Sequence, residues 1–183
     1  ARGEVLHAVA GDMEEAHRRG CTLALALNSV HLPRAADIVV ADSHPFDIEF
    51  WQANKALDQA SHAVRPGGVL ILVAPCTEGI SATHHEVLRF GYPPLAQIRK
   101  MVADGTIDSK AVAIHMAQVS KVAREKATVI LVTKGISASD VRTVGLEYAA
   151  TPQEGLEQAF AMAGRTAKVA VLQGAAQMLP IVD

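Results

Sequence analysis

Apolar residues are distributed along this chain in two rhythms. Three short runs, DIVVAD at 37–42, GGVLILVAP at 67–75 and ATVILVTKG at 127–135, are nearly continuous, rich in β-branched residues and bounded by turn formers. That is the pattern of strands buried on both faces of a parallel sheet. A fourth run, AKVAVLQG at 167–174, has the same shape. Between them the apolar positions shift to helical spacing, predicting helices over 12–19 behind Asp12, 47–64, 95–103, 109–124, and 152–163 behind Thr151. In the helix from 47, Phe50, Ala53, Leu57, Ala60 and Val64 recur three or four residues apart and form one stripe toward the sheet. Gln52, Lys55 and Gln59 then fall on the opposite face. Asp47 is placed to cap this helix and Pro45 to stiffen its approach. At the start of the chain, Val5, His7 and Val9 alternate with Leu6 and Ala8 up to Gly11-Asp12, which predicts one more strand.

Strand and helix alternating at this spacing predict an α/β fold, a three-layer αβα domain around a mostly parallel sheet joined by right-handed crossovers. The chain of 183 residues is long enough for one good core, so residues 1–183 are expected to form a single α/β domain. A first residue other than Met, followed at once by strand pattern, reads as the start of an excised fragment.

Composition narrows the partners. Lys plus Arg number 17 and Asp plus Glu 19, a balance that gives no general polyanion-binding surface and makes nucleic acid an unexpected partner. The apolar runs LALAL and VLILVAP fall far short of the roughly 20 residues that span a bilayer, so a soluble protein with no membrane partner is expected. Cys21 and Cys76 lie far apart without CxxC spacing, which favours reduced thiols and a cytoplasmic location.

Candidate chemistry is sparse. No GxGxxG or GxxxxGK[ST] pattern follows a strand, which argues against dinucleotide or P-loop nucleotide binding. His84-His85-Glu86 lacks the spacing of a metal site, and no metal is expected within this chain. His7, His17, His31, His62 and His115 read as ordinary surface or core histidines, whereas His44 stands out by its place just after a strand. Cys76 sits at a strand end with no neighbouring base in sequence. The stretch from Cys76 to Pro94 is rich in Gly, Ser, Thr and Pro and is the best candidate for a functional loop. The strongest site candidate is SHPFDIEFWQANKAL at 43–57, which carries the single Trp beside Gln52 and Lys55. It begins a helix at the carboxyl end of a strand, where open α/β sheets place their ligands.

Those residues carry a resemblance. AGDMEEAHRRGC, ADIVVADSHPFDIEFWQANKAL and RPGGVLILVAPCTEG, in this order and spacing, resemble the carboxyl-terminal domain of the nickel-dependent lactate racemase family, and the closing segment from LEYAATPQEG to QMLPIV is similar too. The most specific block is the aromatic-Gln-Ala-x-Lys sequence, here Trp51-Gln52-Ala53-Asn54-Lys55, preceded by Pro45-x-Asp47. The resemblance implies that Gln52 and Lys55 bind substrate in a cleft shared with an amino-terminal domain, with Lys55 also catalytic and Trp51 at the aromatic position beside them; His44 joins these substrate-binding candidates by its place after the strand. It implies an isomerase: a nickel pincer nucleotide accepts hydride from C2 of a small 2-hydroxy acid, a histidine takes the hydroxyl proton, and return of hydride to either face racemises the centre. The nucleotide, its Lys and His attachments and the catalytic histidines belong to the amino-terminal domain, so this chain is expected to be the substrate-capping, carboxyl-terminal part of a two-domain protein and inactive alone. Where the family has Gly-Gly-Tyr before the Pro, this chain has Asp42-Ser43-His44. That change turns the expectation from lactate toward another 2-hydroxy acid, because a carboxylate at 42 repels a simple carboxylate and suits a hydroxyl-rich or basic substrate. The alternative is a non-catalytic α/β binding or assembly module, with Phe50 and Trp51 forming an interface patch. A third reading is a self-contained hydrolase or transferase using Cys76 or His44.

Overall fold

The computed structural model describes residues 4–183. In chain order its elements are α1 (Met13–Asn28), β1 (Ser29–Leu32), β2 (Ala36–Asp42), α2 (Phe50–Ser61), β3 (Val64–Val73), α3 (Glu86–Phe90), α4 (Leu95–Ala103) and α5 (Lys110–Ser120). A π-helical turn (Lys121–Lys126) leads from α5 into β4 (Ala127–Val132), followed by α6 (Ala138–Thr143), β5 (Glu147–Ala149), α7 (Pro152–Ala163), β6 (Val169–Leu172), a 3₁₀ turn (Ala175–Gln177) and β7 (Leu179–Val182). Five strands form one parallel sheet in the order β5-β4-β3-β2-β6, and β1 pairs with β7 in a separate two-stranded sheet.

The first three apolar runs are the three central strands β2, β3 and β4, whose alternate residues divide the core, and the fourth run is the β6 edge. Val39 and Ala41, Leu70 and Leu72, and Val129 and Leu131 point to the face covered by α2 and α5, where they meet Leu57, Met116 and Val119. Ile38, Ile71, Ile130 and Val132 point the other way, against Ala159 of α7. This is the three-layer αβα arrangement the periodicity predicts, with a single helix forming one of the outer layers. Gly155 lets α7 approach closely: a Cβ there would lie 3.2 Å from Ile71 and 3.3 Å from Val132. Thr151 caps α7 by accepting the Glu154 N–H, Pro152 fills the first turn, and Glu154 accepts the Ala150 N–H in return.

From β2 the chain proceeds through β3 and β4 to the β5 edge, and α7 then carries it back to β6 on the other side of β2. The strand order therefore reverses between β2 and β6. A crevice outside the carboxyl ends of these strands is where a ligand is best placed.

Two expectations fail at the start of the chain. Residues 4–10 form no strand; Val5 and Leu6 are 85% and 62% exposed, because no neighbouring strand offers them hydrogen bonds. The helix behind Asp12, whose carboxylate accepts the Glu14 and Glu15 N–H groups, runs nine residues beyond Arg19 and takes up the LALAL run, yet buries no residue. Among the described residues no helix is long and apolar enough to cross a membrane.

Candidate functional site

The site grows from the exit of β2. Ser43 is buried and donates both its N–H and its hydroxyl to the Val73 carbonyl, at 3.1 and 3.0 Å, fixing this exit to the end of β3. A cis His44-Pro45 peptide follows, and the Phe46 N–H closes the turn on the Ser43 carbonyl at 2.7 Å. The approach to α2 is then laced to residues 76–82. The Asp47 and Ile48 carbonyls accept from Cys76 and Glu78, while the Phe50 and Trp51 N–H groups donate to Gly79 and Ile80. Asp47 is not the cap expected from the sequence: Glu49 occupies that position, makes no side-chain cap, and gives its carboxylate to the Ala82 N–H instead. The first N–H groups of α2 find their acceptors in the neighbouring loop, so no side-chain cap is required.

On the outer face of α2, Lys55 Nζ donates to Gln52 Oε1 at 2.7 Å and lies 4.3 Å from the centroid of the Phe46 ring. Lys55 is exposed and Gln52 half-buried. Trp51 is directed elsewhere. Its ring stacks on His115 of α5 at 4.1 Å and packs against His84 of the following loop at 4.2 Å, and it is partly buried against the core. His115 in turn shares a 3.0 Å hydrogen bond with the Tyr92 hydroxyl. Burial, and then the nearby His84, bring the His115 imidazole down to about 4, so it is neutral at pH 7.

His44 is the fourth candidate. Its side chain is 80% exposed, with Nδ1 3.7 Å from the Asp47 carboxylate. Together with Asp42, Pro45, Asp47, Val73, Pro75, Gly174 and Gln177 it lines an open cleft of about 700 Å³. The cleft opens at the carboxyl ends of β2, β3 and β6, where the strand order reverses. Asp42 helps to shape it by accepting the Gly174 N–H at 2.9 Å.

The structure thus brings His44 to the cleft lining and leaves Gln52 and Lys55 outside it, tied to it through Phe46 of the same 44–47 turn, over whose ring Lys55 lies. It does not bring Trp51 into the cleft lining. Sequence reasoning missed the Asp42–Gly174 link, the cation over Phe46, and the packing of Trp51 with His84 and His115. The first joins residues 132 positions apart, which no local pattern signals. His115 had one usable sign, its place on an amphipathic helix.

Two residues invoked by the other readings are buried in the structure. Phe50 is only 1% exposed and packs at 5.8 Å against Tyr92, so Phe50 and Trp51 form no open interface patch. Cys76 is fully buried, and burial pushes its thiol up to about 12, leaving almost no thiolate at neutral pH.

Residues 32–179 match the family described as the lactate racemase C-terminal domain. The lactate racemase of Lactiplantibacillus plantarum is 29% identical over 177 residues, covering 92% of this chain and 40% of that protein. That of Thermoanaerobacterium thermosaccharolyticum is 32% identical over 78 residues, which are 42% of this chain and 18% of that protein. Among solved structures, the apoprotein of the latter lactate racemase superposes with a TM-score of 0.77 at 20% identity, over 92% of this chain and 40% of that one. A Thermotoga maritima protein superposes with a TM-score of 0.70 at 19% identity, over 93% and 42%. The chain spans about 40% of the length of the L. plantarum relative. Both structural likenesses agree with the parallel sheet and its two helical layers. With most of its length, including β2, α2 and the loops around them, inside the matched region, the chain belongs to the lactate racemase C-terminal domain family.

Proposed function

We propose that this chain is the substrate-capping carboxyl-terminal domain of a nickel pincer nucleotide-dependent 2-hydroxy acid racemase or epimerase. Its site is completed by an amino-terminal domain of the same protein, and the chain alone is inactive. The observation that carries this reading is the Gln52–Lys55 pair, held at 2.7 Å on the outer face of α2 with Lys55 over the ring of Phe46, whose chain neighbours Pro45 and Asp47 line the cleft, in a chain of this family.

The pair suits substrate positioning. One Lys55 N–H is used by Gln52, and the rest remain for a substrate carboxylate or polarised oxygen. Phe46 supports the ammonium from one side without neutralising it. Gln52 keeps its amide NH₂ to orient a second substrate oxygen. A second domain closing over this face would exclude water and strengthen both interactions. Among the described residues no three His, Cys, Asp or Glu side chains group as metal ligands. The reading asks of this chain only that it bind, orient and shield the substrate.

The test uses the full-length protein loaded with cofactor. Lys55→Ala and Gln52→Ala should each lower kcat/KM, Lys55→Ala by about 100-fold, typical for loss of a group aimed at developing charge. The same substitutions in the isolated chain should change unfolding free energy by less than about 0.5 kcal/mol, because both residues lie on the outer face. Unchanged activity in both variants rejects the assigned roles.

A further inference from the structure

We infer that the cleft at the carboxyl ends of β2, β3 and β6 selects a 2-hydroxy acid bearing further hydroxyl groups along its chain, an acid of the sugar-acid class, with Asp42 as the residue that sets this preference. The inference rests on the reading of the Gln52–Lys55 pair as the holder of the substrate's acid end, and adds what lies beyond that end.

The cleft offers donors and acceptors side by side. Asp42 Oδ2 is committed to the Gly174 N–H, which leaves Oδ1 as a single acceptor without a protein partner among the described residues. The Asp47 carboxylate lies 3.7 Å from His44 Nδ1, so an acceptor again stands beside a group that can donate. Gln177 adds an amide with both functions. A hydroxyl both donates and accepts, and a row of hydroxyls matches such alternation. An ammonium group only donates and would leave the amide and imidazole donors unmatched.

A second carboxylate on the substrate would meet Asp42 and Asp47 at like charge. A short apolar tail would reach the same groups and pair with none of them, which costs their desolvation. At about 700 Å³ the open cleft has room for a chain of several carbons. Its location follows from topology, since Asp42 ends β2 and Gly174 follows β6 at the place where the strand order reverses.

Amide-resolved NMR titration of the 183-residue chain tests this with three acids at matched concentration: gluconate, lactate and 4-amino-2-hydroxybutyrate. The expected result is that gluconate shifts the amides of Asp42, His44, Gly174 and Gln177, that lactate leaves these four in place, and that the amino acid analogue binds more weakly than gluconate. Asp42→Asn keeps an acceptor for the Gly174 N–H, and should weaken gluconate binding about tenfold, as for loss of one charge-assisted hydrogen bond. The Gln52 and Lys55 amides separate the two levels of the argument. If they shift with all three acids while the cleft amides stay still, the hydroxyl preference is overturned and the proposed function stands. If gluconate shifts the cleft amides and leaves those of Gln52 and Lys55 unmoved, the acid end is not held where the proposed function puts it. Preference for the amino analogue, or no response at the four cleft amides to any acid, overturns the inference.

Discussion

At the scale of single residues, His115 shows how burial converts an ordinary histidine into a pH-dependent element of stability. It is 4% exposed, hydrogen-bonded to the Tyr92 hydroxyl and stacked on Trp51, and the surrounding apolar groups disfavour its charged form. Its folded-state value of about 4 lies below the ordinary 6.5, so between these pH values the unfolded chain binds the proton more readily than the folded one. The associated stability is complete above about pH 6.5 and is lost as pH falls toward 4, by about 3 kcal/mol at full extent. Urea unfolding at pH 7 and pH 4.5 checks this: His115→Gln should be the less stable protein at pH 7 and lose less on acidification. Parallel losses in the two proteins would show that His115 is not the responsible group. The sequence places His115 on a helix but not beside Trp51, which lies 64 positions away. It equally makes Gln52 and Lys55 outward-facing, which a 3.6-residue period can do, while leaving the Phe46 ring beside Lys55 unannounced, because the turn from Ser43 to Phe46 has no period to read.

At the scale of elements, legibility follows the range of the forces involved. The helix at 95–103 and the helix at 152–163 match the structure residue for residue, the latter because Thr151, Pro152 and Glu154 specify a start through local hydrogen bonds. The central strands are legible because they are buried on both faces, whereas β5, three residues long and at the sheet edge, carries too little pattern to read. The β1–β7 pair joins the two ends of the described fold, and only tertiary contact defines it. The start of α2 is set by another loop in place of a cap, and that loop is set by a third. Pro75 and Cys76 are held from the end of β4, where the Thr133 hydroxyl and the Gly135 N–H both donate to the Pro75 carbonyl at 2.8 and 2.9 Å. A Cβ on Gly135 would stand 1.9 Å from the Cys76 carbonyl oxygen, a backbone atom that cannot move without carrying the loop with it. Gly135→Ala should therefore cost about 3 kcal/mol. It should also speed hydrogen exchange at Phe50 and Trp51, whose N–H groups end on Gly79 and Ile80. Protection unchanged at those two amides would show that the loop is not what holds the first turn of α2.

At the scale of the whole molecule, the folding unit is smaller than the chain. The five-stranded sheet closes its core with α2, α5 and the elements around them on one side and α7 on the other, and no residue of α1 enters either cluster. Across an open groove, Cys21, Ala24, Leu25 and Asn28 face Gln59 and residues 176–179 without reaching the core, and Met13, Leu25 and Leu27 are 86%, 48% and 52% exposed. The family match, beginning at residue 32, leaves the same helix outside. Since apolar burial supplies most of the stabilisation and α1 contributes so little of it, removing the helix should remove little stability. A chain beginning at Asn28, which retains β1 and its pairing with β7, should unfold in urea within about 1 kcal/mol of the parent and keep its cooperativity, because the surface exposed on unfolding changes mainly by that of one already exposed helix. A loss of several kcal/mol would place α1 within the folding unit. The expected result separates two roles: the sheet and its helices carry the fold and the cleft, and α1, with its exposed leucines, is held by the domain without supporting it.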